Sequence, residues 1–141
     1  MSFEELEFER LFAEIARRPN PGRWAPNTDV FVDEEAGCVV VKVEVAGAEA
    51  ERLRVGVDKR HLVIIGRRTD AARFSRGSFL QKEIEYGDFV KRIHLPVAIA
   101  YEDVTATYGA GMLTIRLPVA TTEYVPTART EIRMTVTRTL A

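Results

Sequence analysis

The chain has 141 residues, 46% of them apolar, and a formal net charge of −1, the size and balance of one globular domain with modest extensions. The near-neutral charge excludes a nucleic-acid binder that relies on phosphate neutralisation, and no apolar run approaches the roughly 18 residues of a membrane span, so no stable membrane insertion is expected. The single cysteine, Cys38, excludes an internal disulfide or a cysteine-pair zinc site, and the acidic start Met1-Ser2-Phe3-Glu4-Glu5 is unlike a secretory segment; together these predict a cytoplasmic protein in which Cys38 is a small packing residue.

Residues 1–18 predict a short amphipathic helix. Ser2 and Glu5 have the spacing of a capping box. Phe8, Leu11, Phe12 and Ile15 fall on one helical face. Arg17 and Arg18 suit a helix C-terminus, and Pro19-Asn20-Pro21-Gly22 prevents continuation.

From Trp24 the pattern turns to β. Residues 29–32 form a short candidate strand. Val39, Val41, Val43 and Val45 alternate with Val40, Lys42 and Glu44, which predicts a strand with one buried face. Leu53, Val55 and Val57 alternate again, and residues 61–65 follow a turn at Asp58-Lys59-Arg60, so the two segments read as a hairpin closed by Gly66. Residues 67–78 read as a basic, irregular loop carrying Arg67, Arg68, Arg73 and Arg76. Residues 79–85 read as an extended segment. Gly87-Asp88 then leads into a strand over residues 89–95, ended by Pro96. Residues 104–108 and 112–117 form a last pair, the second with Leu113, Ile115 and Leu117 alternating with Thr114 and Arg116. Residues 119–141 read as an extended, mobile tail with one apolar alternation, Ile132-Arg133-Met134-Thr135-Val136. Short strands with turn signals every 8–12 residues or so predict an all-β, immunoglobulin-like antiparallel β-sandwich.

The motifs of nucleotide and covalent chemistry are missing. No phosphate-cradling G-x-x-x-x-G-K-[ST] occurs. Gly109-Ala110-Gly111 lies between two strands and reads as a hairpin turn. His61 and His94 stand in separate strands, with no second histidine or cysteine at ligand spacing along the chain, so no metal site is expected. Ser2, Ser75 and Ser78 lie outside any nucleophile-elbow motif. Glu83 and Glu85 read as a salt-bridged edge. No catalytic residue, cofactor or enzymatic activity is expected.

Four motifs occur in an order that resembles the α-crystallin domain of the small heat shock protein family. They are Trp24-x-Pro26-x-x-Asp29-Val30; Leu53-x-Val55-x-Val57 with Leu62-x-Ile64-x-Gly66-x-Arg68; Gly87-x-Phe89 with Leu95-Pro96; and Ala106-x-Tyr108-x-x-Gly111-Met112-Leu113-x-Ile115-x-Leu117-Pro118. The resemblance divides the chain into an N-terminal amphipathic segment (1–23), an α-crystallin-like β-sandwich (24–118) and a C-terminal extension (119–141). Val45-Ala46-Gly47 departs from the family's Leu-Pro-Gly turn, Ile84 stands where a basic residue is common, and Lys91 stands where arginine is usual, although lysine cannot fork two carboxylate oxygens.

The resemblance implies an ATP-independent holdase chaperone that binds non-native client proteins under heat stress. The alternative on the same sandwich is a non-holdase interaction module like the CS-domain co-chaperones. It implies a dimer in which residues 79–83 (Phe79, Leu80 and Glu83 among them) pair with Thr28, Val30 and Val32 of the partner. It implies a larger homo-oligomer, in which a tail motif enters an apolar groove of a neighbour. That groove is walled by Leu53, Val55 and Val57 on one side and Val104, Ala106 and Tyr108 on the other. Ile132 with Met134, or Met134 with Val136, is the docking pair. Client contact falls to Phe3, Leu6, Phe8, Leu11, Phe12 and Ile15, the alternative being a helix docked on its own domain.

Overall fold

The computed structural model describes residues 8–11, 13, 24–58, 60–70, 76–120 and 130–136. Residues 8–11 and 13 are helical. The strands are β1 (Thr28–Asp33), β2 (Cys38–Glu44), β3 (Arg54–Asp58), β4 (His61–Arg68), β5 (Gly87–His94), β6 (Thr105–Gly109), β7 (Met112–Pro118), β8 (Thr130–Ile132) and β9 (Met134–Val136). They form two sheets, ordered β1-β2-β7-β6-β9 and β5-β4-β3-β8. The result is the expected immunoglobulin-like sandwich.

Period-2 alternation builds the interior. In β2, Val39, Val41 and Val43 are fully buried, and in β7 so are Leu113, Ile115 and Leu117. The two strands are antiparallel with Val41 opposite Ile115 and Val43 opposite Leu113, so six branched side chains share one inner face. From the other sheet, Leu53, Val55, Val57, Leu62 and Ile64 join the same cluster, with Phe89 and Trp24 closing one end.

The strand β4 departs from alternation because both its faces are covered. Leu62 and Ile64 point into the sandwich. Val63 and Ile65 point outward and are buried under Phe8 of the helical segment, with Leu11 and Val90 packed alongside. A strand covered on both faces reads as a continuous apolar run.

The expected stop at Gly66 is corrected. The strand runs on to Arg68, with Gly66 opposite Phe89, Arg67 opposite Asp88 and Arg68 opposite Gly87. Gly66 is there for space: a Cβ at this position would overlap the Phe89 ring and come within 3.1 Å of the Leu53 side chain. Arg67 and Arg68 therefore belong to the sheet rather than to the loop. The Gly109-Ala110-Gly111 segment is the expected hairpin turn, with Gly109 opposite Met112. Ala110 at φ 52° and Gly111 at φ 77° give the two left-handed central residues of a tight two-residue turn.

One further expectation changes. Residues 130–136 are not a mobile tail but two short ladders, β8 and β9. Residues 79–85 carry no ladder in this chain. The capping pair Ser2 and Glu5, the residues Arg17 and Arg18, the breaker run 19–22, Lys59 and Arg73 lie outside the described residues.

Candidate interaction surfaces

The sandwich has an open side between the edge strands β3 and β6, and the C-terminal segment crosses it. β8 pairs antiparallel with β3, with Ile132 opposite Val55. β9 then pairs parallel with β6, with Met134 opposite Ala106. Ile132 and Met134 are two residues apart in an extended chain, so both side chains point the same way. Ile132 is buried within the core cluster and Met134 packs against it. Leu53, Val55, Val57, Val104 and Ala106 are buried there too, and Tyr108 is half-buried. Val136 is 41% exposed. Of the two pairs that the alternation offered, the seated one is Ile132 with Met134. The groove is that of the same chain, where the resemblance had implied a neighbour's.

One polar contact ties the segment itself, and another lies beside the groove. Arg54 pairs with Glu131 at 2.9 Å across the β3–β8 edge. The Tyr108 hydroxyl donates to the Val45 carbonyl at 3.0 Å and lies 3.3 Å from that of Ala48. Burial holds this hydroxyl above the ordinary tyrosine range, partly offset by the backbone at Ala48.

The opposite edge of the same sheet is β1, which among the described residues pairs only with β2. On its other side no ladder forms among those residues, leaving an open strand edge. Val30, Phe31 and Val32 are exposed along it, Phe31 by 62%. Thr28 is half-buried, its hydroxyl donating to the Pro26 carbonyl at 3.2 Å. Phe79, Leu80 and Ile84 are exposed in the connection between β4 and β5, Leu80 completely. Glu83 is exposed and accepts from Gln81.

The C-terminal foot of that connection is anchored. Arg68 donates to the Glu85 carbonyl from Nε at 2.9 Å and to the Ala46 carbonyl at 3.2 Å. Its guanidinium lies 3.8 Å from the centre of the Trp24 ring, a cation–π contact. Trp24 in turn donates from Nε1 to the Gly87 carbonyl at 3.0 Å and meets Phe89 edge-on. Trp24 is thus a joint between the first strand's approach and the loop's return.

Phe8 is 1% exposed and Leu11 is half-buried, so these two of the six expected client-contact residues sit on the outer face of the β5-β4-β3-β8 sheet. Phe3, Leu6, Phe12 and Ile15 lie outside the described residues.

With these surfaces defined, comparison with known proteins is decisive. The sequence profile described as "Hsp20/alpha crystallin family" matches residues 32–136. The chain belongs to this family. It is similar to an alpha-crystallin of Mycobacterium tuberculosis, 32% identical over 120 residues that cover 81% of this chain and 78% of that protein. It is also similar to small heat shock protein C4 of Rickettsia felis, 28% identical over 122 residues, 83% and 74% of the two chains. Among solved structures, a small heat-shock protein from Xylella fastidiosa, described as having a distinct high order structure, matches with a TM-score of 0.59 and 30% identity, over 72% of this chain and 93% of that one. Heat shock protein 16.0 from Schizosaccharomyces pombe matches with a TM-score of 0.61 and 27% identity, over 72% and 94%.

The small heat shock proteins are chaperones that form homo-oligomers and bind client proteins. Among the described residues, no helix is long and apolar enough to cross a membrane, and no group of three or more His, Cys, Asp or Glu residues is arranged to hold a metal ion. Cys38 is buried, with Arg116 Nη1 at 3.9 Å from its sulfur. Three contacts were not anticipated from sequence: Arg54 with Glu131, Arg68 on Trp24, and His61 against His94. Each joins residues at large sequence separation, where no local pattern connects them.

Proposed function

We propose that this chain is a cytoplasmic, ATP-independent holdase that binds partly unfolded proteins and keeps them from aggregating under heat. The observation that carries the reading is exposed apolar surface beside open backbone: Val30, Phe31 and Val32 on the edge strand β1, with Phe79, Leu80 and Ile84 in the long connection. Exposed apolar side chains beside an open strand edge suit protein contact. Capture of a non-native chain needs no nucleotide, because any bound state competes with aggregation by mass action.

In this proposal residues 79–83 of one protomer add as a strand to β1 of its partner, at Thr28, Val30 and Val32, giving the dimer. Ile132 and Met134 exchange between their own groove and that of a neighbour, building the larger oligomer. Heating frees Phe8 and Leu11 from Val63 and Ile65, and with Phe3, Leu6, Phe12 and Ile15 they contact the client. No cofactor takes part.

Light scattering of a heat-denatured client, with equimolar chain and no nucleotide, tests the activity: suppression is expected, and none would overturn the reading. Native mass by light-scattering chromatography tests assembly. Ile132→Ala with Met134→Ala is expected to shrink the oligomer, and an unchanged mass would remove the tail from assembly. One observation favours a second reading. Because the groove is filled by its own chain, the fold needs no neighbour there, as in a CS-domain-like interaction module; a monomer inactive on the heated client would establish that instead.

A further inference from the structure

We propose that His61 and His94 form a two-histidine site for a divalent transition-metal ion on the outer face of the β5-β4-β3-β8 sheet. They are the chain's two histidines, and they lie directly opposite each other across β4 and β5. The neighbouring hydrogen bond fixes what kind of pair they are. The Leu95 amide donates to the Arg60 carbonyl, which makes His61 and His94 a non-hydrogen-bonded antiparallel pair. In such pairs the Cα atoms and side chains approach most closely. The two imidazole centres are 5.2 Å apart, with the ring planes at 63°. With metal–nitrogen bonds near 2.05 Å and a tetrahedral angle, two imidazole centres around a single ion sit about 5.2 Å apart. The strand register therefore already supplies the separation that bidentate ligation needs.

The chemical class follows from the ligands. Neutral imidazole nitrogen suits Cu²⁺, Ni²⁺ and Zn²⁺ rather than Ca²⁺ or Mg²⁺, with Cu²⁺ held tighter than Zn²⁺. His94 is exposed and His61 half-buried, so water can complete the coordination. The next pair on the same face is Val63 opposite Arg92. Arg92 is exposed and brings positive charge close by, which weakens the site without closing it. On the other side, the backbone of Asp58 is the β3 partner of His61. A bound ion would join β4 to β5 one residue pair beyond the seat of Phe8 on Val63.

The test is calorimetric titration of the full-length, tag-free chain with Cu²⁺ and separately Zn²⁺. One ion per chain is expected, Cu²⁺ binding more tightly. Losing either ligand removes the chelate, so His94→Thr and His61→Thr should each weaken binding about 10²-fold, and the double variant, which keeps neither imidazole, should lose the site altogether. His94→Thr is on an exposed strand position, and its thermal midpoint in chelator should match the parent. Electron paramagnetic resonance of the one-to-one Cu²⁺ complex should show two coordinated imidazole nitrogens in the parent and one in His94→Thr. No one-to-one binding below millimolar Cu²⁺, or His94→Thr binding like the parent, would overturn the proposal and leave at most an adventitious ion elsewhere.

Discussion

Replacing Ile132 by alanine should undock the C-terminal segment while leaving the sandwich folded. Ile132 is 8% exposed, so nearly all of its side chain is removed from water. The substitution deletes three carbons, each contributing about 0.8 kcal/mol when buried, which comes to about 2 kcal/mol of docking free energy. The larger penalty usual for core truncations comes from a residual cavity. Because Ile132 is buried in the core cluster, a cavity in the docked state adds to the loss, and the transfer figure is a lower bound. Opposing the docked state is the ordering of the segment, about 1–2 kcal/mol per residue, so the net balance is small and a loss of this size shifts it strongly. At 1.4 kcal/mol per factor of ten, the open population should rise at least about 30-fold. Amide hydrogen exchange at Ile132, opposite Val55 in the β3–β8 ladder, reads that population directly when local opening governs exchange. Val136→Ala, at an exposed position, is the control and should change exchange less than about twofold. If Ile132→Ala exchanges within twofold of the parent, Ile132 is not what holds the segment. If β2 and β7 lose protection in step with β8, docking is part of global folding rather than a separable equilibrium.

Gly66→Ala should destabilise the domain by about 1–3 kcal/mol, the usual range for overpacking, because the added methyl meets the Phe89 ring and Leu53; urea denaturation measures this, and an unchanged midpoint would show that Phe89 has room to move. Tyr108→Phe should alter the alkaline limb of the stability curve. The Tyr108 pKa is raised in the folded state by burial, so its contribution is fully present below the unfolded value of about 10 and is lost as pH rises through the folded value. The parent should therefore lose stability above about pH 10 relative to Tyr108→Phe, and parallel curves for the two would refute the assignment.

Alternation along each strand is a local property, and it was legible in the residues alone. Val39 to Val43 and Leu113 to Leu117 declare their buried faces without reference to any partner, and the turn residues between segments place the strand ends to within a few positions. The sandwich class and the family motifs followed from that. Only the tertiary structure decided which edges remain open, where the tail goes and which distant residues meet. Gly66 looked like a terminator because a glycine's missing side chain is indistinguishable, along the chain, from space left for Phe89. Residues 130–136 carried an alternation too short to distinguish a free segment from one that bridges β3 and β6. His61 and His94 are far apart in sequence and adjacent in space because the β4–β5 register, set across eight residue pairs from Gly87 to His94, brings them opposite. Periodicity specifies which face of a strand is buried; it carries no information about the residue across the ladder, which is fixed only when the chain has folded back on itself.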